Sequence, residues 1–278
     1  MVKKLLSWLM LTVLLLNSAC TAASTSMTEK PGSAEGKTLT VLAAASLTQA
    51  FEELGEQFKA ARPGVEISFN FAGSQQLAQQ LANGAPADVF ASANNRQMEA
   101  VVAAGRVGAN SIQVFARNRL VVIYPTDNPA GIQQLGDLSK PGLKLVLAAK
   151  EVPVGQYSLE FLAKTAADPA FGSGYEQSVL NNVVSYEDNV RAVLTRVGLG
   201  EADAGIVYTS DVSGDAAQKV GTLEIPDALN VIAAYPIAPI QDSPNAALAQ
   251  EFINLVLSEG GQALLAQHGF VPVQAASR

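Results

Sequence analysis

Short apolar segments alternate with amphipathic segments along almost the whole chain, from Thr38 to Gln267. Residues 38–44 form an apolar run that predicts a buried strand, and residues 46–61 then repeat apolar side chains at helical spacing. Such alternation predicts parallel or mixed sheets with helices on both faces. In sheets of this kind, ligands bind at the carboxyl ends of the strands.

Five of the predicted strand ends carry small or hydroxyl residues. They are residues 43–48 (AAASLT), 71–75 (FAGSQ), 152–155 (VPVG), 186–191 (YEDNVR) and 205–208 (GIVY). A helix begins after the first four, and a helix start presents unpaired N–H groups and the positive end of the helix dipole. Taken singly, each segment has a structural explanation: Ser46 and Ser74 would cap their helices, and Tyr208 would satisfy a hydrogen bond in the core. If the five segments meet at one cleft, their hydrogen-bond donors would form a binding site for a small oxyanion.

The N-terminus has the composition of an export signal. Lys3 and Lys4 precede an apolar stretch over residues 5–16, which is short for a membrane span, and small residues follow. The chain's one cysteine, Cys20, comes next, and this arrangement resembles the lipobox of bacterial lipoproteins. We therefore expect a signal peptide over residues 1–19 and a lipidated Cys20 with a flexible tether over residues 20–37. Cleavage by an ordinary signal peptidase near Ala19 or Ala22 is the alternative.

Charge and residue counts narrow the possible ligands. The formal net charge is −7, which argues against nucleic acid and against anionic membrane surfaces. One histidine and one cysteine exclude the usual transition-metal ligand sets, so we expect no direct protein–metal ligands. The glycine patterns of nucleotide and dinucleotide sites are absent from the sequence, and we expect no cofactor. An anion would have to be held by local donors.

His268, at the end of the last predicted helix, is expected to cap it.

The order of the segments is similar to that of the periplasmic molybdate-binding proteins of ABC transporters, a family of type II solute-binding proteins. The similarity runs from about Thr38 to Val273 and also includes residues 84–90 (GAPADVF). The resemblance implies a two-lobed α/β fold, each lobe a mixed, mostly parallel sheet flanked by helices, with the ligand in the cleft. Lobe 1 is then expected over residues 38–121 plus 234–278, and lobe 2 over residues 122–233.

The resemblance also implies a ligand site. In the family, two serines, two backbone amides and a tyrosine hydroxyl hold molybdate, and these match Ser46, Ser74, Val154, Val190 and Tyr208. Val154 stands where the family has alanine, which keeps the amide but adds methyl groups. The same resemblance implies an extracytoplasmic, monomeric component of an ABC importer that binds molybdate and tungstate and delivers it to a permease. It is expected to be exported and anchored to the membrane by its lipid.

Three other functions stay open from the residues themselves. The first is binding of another tetrahedral oxyanion, such as sulfate or phosphate. The second is a serine hydrolase with Ser46 or Ser74 as nucleophile and His268 as base, although the sequence has no Gly-x-Ser-x-Gly elbow. The third is a ligand-sensing module, although no effector or DNA-binding motif accompanies the predicted domain. We expect a binding protein and not an enzyme.

Overall fold

The computed structural model describes residues 37–273. The predicted signal peptide, Cys20 and nearly all of the predicted tether lie outside the described residues. Within them, the chain forms two α/β lobes, each built on one sheet. No helix in this range is both long enough and apolar enough to span a membrane.

Lobe 1 contains a six-stranded sheet in the order β11-β4-β10-β3-β1-β2. Its strands are β1 (Lys37–Ala44), β2 (Val65–Ala72), β3 (Val89–Ala91), β4 (Gln113–Asn118), β10 (Ala233–Pro239) and β11 (Val271–Pro272). Its helices are α1 (Thr48–Ala60), α2 (Ser74–Ala82), α3 (Asn95–Ala103), α7 (Ala246–Leu257) and α8 (Glu259–Gln267). Strand β1 runs parallel to β2 and β3, whereas β10 is antiparallel to β3 and β4.

Lobe 2 contains a five-stranded sheet in the order β7-β6-β8-β5-β9. Its strands are β5 (Leu120–Pro125), β6 (Leu145–Ala148), β7 (Val183–Glu187), β8 (Ala204–Tyr208) and β9 (Val220–Glu224). Its helices are α4 (Pro153–Thr165), α5 (Tyr175–Asn181) and α6 (Val190–Gly198). Strand β6 is parallel to β7 and β8, so these strands end at the same edge of the sheet.

An aromatic cluster holds the outer helices of lobe 1 on its sheet. The rings of Phe51 and Phe58 on α1 each lie 5.6 Å from the ring of Phe252 on α7, edge to face. All three side chains are fully buried. Burying a phenylalanine contributes about 1.5–3 kcal/mol. Gly55 lets α1 approach β2, since a Cβ there would lie 2.7 Å from the ring of Phe69. This packing fixes β1 and the turn that follows it.

The chain crosses between the lobes twice, and the two crossings lie side by side. Residue Arg119 joins β4 to β5, and residues 225–232 join β9 to β10. Asn230 links the crossings: its Oδ1 accepts from the Leu120 N–H, and its Nδ2 donates to the Leu120 carbonyl, each at 2.9 Å. The buried Asn230 side chain therefore ties the second crossing to the first residue of β5, next to the first crossing.

Several local predictions need correction. The sequence predicts one long helix over residues 245–267, but Ser258 divides it into α7 and α8, because its hydroxyl caps α8 by accepting from the Gly261 N–H at 3.1 Å. Helix α5 occupies residues for which no helix was predicted. The helix expected from Ser46 begins instead with a 3₁₀ turn over Ala45–Leu47.

Candidate functional site

Strand ends and helix starts from both lobes meet around one small cavity. Its volume is about 10 Å³, roughly the space that one water-sized sphere occupies. The lining residues are Ala44, Ala45, Ser46, Ala72, Gly73, Ser74, Ala93, Val152, Pro153, Val154, Asn189, Val190 and Tyr208. All of them are uncharged, and the five residues predicted to bind ligand are among them. Their contact with a ligand remains a prediction.

Ser46 lies in the 3₁₀ turn between β1 and α1, and it is 4% exposed. Because α1 begins at Thr48, the Ser46 side chain does not cap that helix, and no side-chain capping bond is made there. Its Oγ lies 2.9 Å from the Tyr235 hydroxyl in β10. The capping role considered from the sequence is therefore wrong for Ser46.

Ser74 is the first residue of α2, after Gly73, and it is 1% exposed. Its Oγ accepts a hydrogen bond from the Ala93 N–H at 3.0 Å, not from its own helix. An oxygen that accepts this bond keeps its own hydrogen free to donate. Ala93 also lines the cavity, so the segment after β3 orients the serine after β2.

Val154 is the second residue of α4 and lies at its open N-terminus. Pro153 precedes it and has no N–H, and the first bond back to the preceding turn runs from the Gln156 N–H to the Val152 carbonyl, at 2.9 Å. The Val154 N–H is thus one of the donors that a helix start leaves unpaired. Gly155 lets α4 begin this close to β6, because a Cβ there would lie 2.1 Å from the Ala149 carbonyl oxygen.

Val190 is the first residue of α6, and its N–H also lies at an open helix N-terminus. The Asn189 side chain caps the helix by accepting from the Ala192 N–H at 3.0 Å, which leaves the Val190 N–H unpaired. Val190 is buried, with 4% exposure. The two amide donors therefore come from lobe 2, whereas the two serines come from lobe 1.

Tyr208 ends β8 with its side chain 1% exposed. Its hydroxyl oxygen is buried and has no hydrogen-bond partner among residues 37–273. A buried hydroxyl without a partner costs about 1–3 kcal/mol, so native structures seldom leave one in place. Burial raises the pKa of Tyr208 well above its ordinary value, and the group stays protonated and able to donate.

A buried carboxylate, paired with a partly exposed arginine, lies next to Tyr208. Asp211 accepts from the Tyr208 N–H through Oδ2 at 3.0 Å, and its Oδ1 lies 3.9 Å from Nε of Arg191. Burial raises the pKa of Asp211 to about 6, although Arg191 opposes the shift. The Arg191 Nε also donates to the Ala45 carbonyl in lobe 1, at 3.4 Å. The Arg191 guanidinium, one residue from Val190 in the lining, is therefore already paired with a carboxylate.

Hydrogen bonds join the two lobes around the cavity mouth. Gln75 Nε2 donates to the Asp188 carbonyl at 2.8 Å, and Asn94 Nδ2 donates to Gln156 Oε1 at 3.2 Å. Gly73 permits this approach, because a Cβ there would lie 2.4 Å from the Asp188 carbonyl oxygen. The lobes thus lie close together at the cavity.

Sequence reasoning missed the residues behind the site. Asn118, Tyr235 and Asp211 are fully buried polar side chains that hold the lining residues in place. A polar or phenolic residue inside an otherwise apolar strand, as at Tyr235, is the signal that could have found them.

The described structure pairs neither Ser46 nor Ser74 with His268, as a serine hydrolase would require. His268 Nε2 lies 3.0 Å from a carboxylate oxygen of Glu53, whereas the two serine hydroxyls contact Tyr235 and the Ala93 amide. Within residues 37–273, no group of three or more His, Cys, Asp or Glu side chains is placed to hold a metal ion.

Two α/β lobes joined by paired crossings, with a small donor-lined cleft between them, define the class of two-lobed solute-binding proteins. Comparison with known proteins agrees. The chain matches the family model described as bacterial extracellular solute-binding protein over residues 39–271, and it belongs to that family.

Individual relatives and solved structures include molybdate-binding and sulfate-binding proteins. The molybdate-binding protein ModA of Mycobacterium tuberculosis H37Rv is 41% identical over 234 residues, which cover 84% of each chain. The solved periplasmic molybdate-binding protein of Azotobacter vinelandii has a TM-score of 0.73 at 20% identity and covers 85% of this chain and 100% of its own. The sulfate-binding protein SubI of M. tuberculosis has a TM-score of 0.75 at 21% identity, with 86% and 88% covered. The two-lobed fold and the predicted resemblance to the molybdate-binding proteins are confirmed. These relatives are binding proteins and not enzymes.

Proposed function

We propose that the protein is the solute-binding component of an ABC importer, and that it binds molybdate, and tungstate as well, between its lobes. The five residues predicted from the sequence would be the ligand-binding groups: the hydroxyls of Ser46, Ser74 and Tyr208 and the N–H groups of Val154 and Val190. The observation that carries the proposal is the buried Tyr208 hydroxyl on the cavity wall, which has no hydrogen-bond partner in the part of the chain that the structure describes.

The chemistry of the lining supports a fully ionised oxyanion. A tetrahedral dianion accepts hydrogen bonds from all sides and needs no proton from the protein. Each hydrogen bond to a charged acceptor contributes roughly 1.5–3 kcal/mol. Neutral donors at fixed positions therefore suffice, although the chain carries a net charge of −7. A cavity with room for about one water-sized sphere must widen to admit a ligand, and a small inorganic ion requires less widening than an organic metabolite.

Binding is expected to draw the lobes together by motion at the two crossings. Lobe 1 supplies two serines and lobe 2 supplies the two amides and Tyr208, so a ligand that contacts all five stabilises the closed arrangement. The closed protein would then be recognised by a membrane permease. Lipidation at Cys20 would keep the monomer at the membrane surface, outside the cytoplasm.

Calorimetric titration tests this function. Molybdate and tungstate should both bind, and sulfate should bind more weakly, because a smaller ion meets fewer of the fixed donors at once. Tight sulfate binding without molybdate binding would instead assign the protein to sulfate. No heat with any tetrahedral oxyanion, beside unchanged thermal midpoints, would reject the proposal.

A further inference from the structure

The turn that follows Tyr208 helps to fix where this side chain meets the cavity. Tyr208 ends β8, and a 3₁₀ turn over Thr209–Asp211 follows it directly. The Tyr208 N–H donates into this turn, to Asp211 Oδ2 at 3.0 Å. At the other end of the residue, the hydroxyl has no hydrogen-bond partner within residues 37–273. The hydrogen bonds that hold Tyr208 in place are therefore made at its backbone and at the turn.

Asn118 of lobe 1 binds this turn. It is the last residue of β4, is fully buried and comes one residue before the first crossing. Its Oδ1 accepts from the Arg119 N–H, so the other side-chain atom is the amide nitrogen, which only donates. That nitrogen donates to Ser210 Oγ at 2.7 Å, and the Thr209 hydroxyl donates to Oδ1 at 3.0 Å. Two side-chain hydrogen bonds thus fasten a turn of lobe 2 to a strand of lobe 1.

Other segments of lobe 1 contact the same part of lobe 2. The Thr209 hydroxyl also lies 3.1 Å from the Gly269 carbonyl oxygen, and Ser213 Oγ donates to Gln49 Oε1 at 2.8 Å. Gly269 has a φ of +79°, and a Cβ there would lie 3.2 Å from Ser210 Cα, so glycine permits both the backbone conformation and the close approach. The residues after Tyr208 are therefore bonded to lobe 1 through β4, α1 and the segment after α8.

The sheet of lobe 2 places Tyr208 nearer to the crossings than the two amide donors. Tyr208 lies opposite Leu120, the first residue after the first crossing. In the order β7-β6-β8-β5-β9, β8 is next to β5, whereas β6 and β7, which lead into α4 and α6, are the second and third strands from it. Neighbouring strands are about 4.8 Å apart, so β6 and β7 lie roughly 10 and 14 Å from β5. When the lobes rotate about the crossings, the starts of α4 and α6 therefore travel farther than Tyr208 does.

We infer that Asn118 is a positioning residue that fastens the Tyr208 turn to lobe 1, so that Tyr208 stays beside the two serines of the site when the lobes part. The inference rests on the proposed oxyanion function and adds an order of events to it. The open protein captures the ion with three hydroxyls, and the N–H groups at the starts of α4 and α6 then close onto it. Tyr208 thus belongs to lobe 2 in the sheet and moves with lobe 1.

The first test removes the hydroxyl that joins the turn to Asn118 and keeps the shape of the side chain. The full-length protein and its Thr209→Val variant are titrated calorimetrically with molybdate. Thr209→Val should weaken binding roughly three- to tenfold, since a hydrogen bond that holds the turn is lost. In the Tyr208→Phe background the same change should have less than a twofold effect, because the hydroxyl that the turn positions is gone.

Thr165→Val is the matched control for this test. It also removes a threonine hydroxyl from lobe 2, but one that donates to the Leu162 carbonyl within α4. It should lower the ligand-free thermal midpoint, as Thr209→Val does, and leave molybdate affinity unchanged. The inference fails if Thr209→Val binds molybdate like the wild type. It also fails if Thr209→Val keeps its full effect in the Tyr208→Phe background, because the turn would then act through general packing.

The second test asks whether Tyr208 contacts the ion before the lobes close. Gly73→Ala hinders closure, because its Cβ would lie 2.4 Å from the Asp188 carbonyl oxygen, just before α6. In this background Tyr208→Phe should still weaken molybdate binding at least tenfold. An effect below threefold, or no molybdate binding by Gly73→Ala at all, overturns the inference and leaves the proposed function standing. If the wild type itself binds no oxyanion, the proposed function fails.

Discussion

Replacing Tyr208 by phenylalanine separates ligand binding from stability. The change removes one hydroxyl and keeps the ring, which packs edge to face against Tyr235 at 5.8 Å and Tyr157 at 6.5 Å between centroids. Because the hydroxyl oxygen has no hydrogen-bond partner within the described residues 37–273, the change removes no hydrogen bond of that part of the chain. The proposed bond to the oxyanion, however, disappears.

The two expected effects have different signs. A lost hydrogen bond to a charged acceptor weakens binding by about 1.5–3 kcal/mol, which is roughly 10- to 150-fold in Kd. The ligand-free protein, in contrast, should keep its thermal midpoint or gain a few degrees, because the variant no longer buries an unpaired hydroxyl. For a chain of this size, 1 kcal/mol moves the midpoint by roughly 2–4 °C.

Tyr175→Phe, which removes another buried phenol hydroxyl in lobe 2, is the matched control for this experiment. Its hydroxyl donates to the Leu135 carbonyl at 2.6 Å, so its loss should lower the ligand-free midpoint by roughly 2–4 °C and leave molybdate affinity unchanged. Calorimetry gives the affinities and thermal denaturation without ligand gives the midpoints. The reasoning is refuted if Tyr208→Phe binds molybdate like the wild type, or if its ligand-free midpoint falls as far as that of Tyr175→Phe.

Three further predictions follow from neighbouring contacts. Ser74→Ala should weaken molybdate binding by about 1.5–3 kcal/mol, because one hydrogen bond to the ion is lost. It should also lower the ligand-free thermal midpoint, because the Ala93 N–H loses its acceptor. If calorimetry shows full affinity, Ser74 does not belong to the site. Gly73→Ala should weaken molybdate binding with little change in ligand-free stability, because the added Cβ would clash with the Asp188 carbonyl only when the lobes are closed. Scattering profiles of the variant that still show closure with molybdate would contradict this. The Asp211→Asn variant should become more stable than the wild type as pH rises from 4 to 7, by up to about 3 kcal/mol in the free energy of unfolding. Burial raises the pKa of Asp211 to about 6, so the wild-type carboxyl destabilises the fold once it ionises. Thermal midpoints measured across this range check the last prediction, and a constant difference between the two proteins would refute it.

Local rules found the cavity lining from the sequence. Ser46, Ser74, Val154, Val190 and Tyr208 all lie where an apolar strand ends, and parallel strands bring such ends to one edge of a sheet. The pattern of strand ends and helix starts depends on residues a few places apart in the chain, so it was enough to find the five segments. The choice of these five residues as ligand-binding groups came from the resemblance to a family. Their convergence on a single cavity followed from the resemblance to a family rather than from spacing.

The groups behind the lining depend on distant parts of the chain. Ser46 and Tyr235 are 189 residues apart, and Asn118 and Tyr235 are 117 apart, so no local pattern joins them. The same holds for the bond from Gln75 to the Asp188 carbonyl across the cleft. The break between α7 and α8 is a different failure: the apolar pattern continues through Ser258, and the hydroxyl cap outweighs it.

The most direct test of an oxyanion held by neutral donors is the crystal structure of the protein with tungstate, located by its anomalous scattering. The peak should lie in the cavity, with oxygens within hydrogen-bond distance of the Ser46, Ser74 and Tyr208 hydroxyls and of the Val154 and Val190 N–H groups. No lysine or arginine should contact the ion. A peak elsewhere in the protein, or an ion held by the Arg191 guanidinium, would contradict the proposed site and the physical reason for its selectivity.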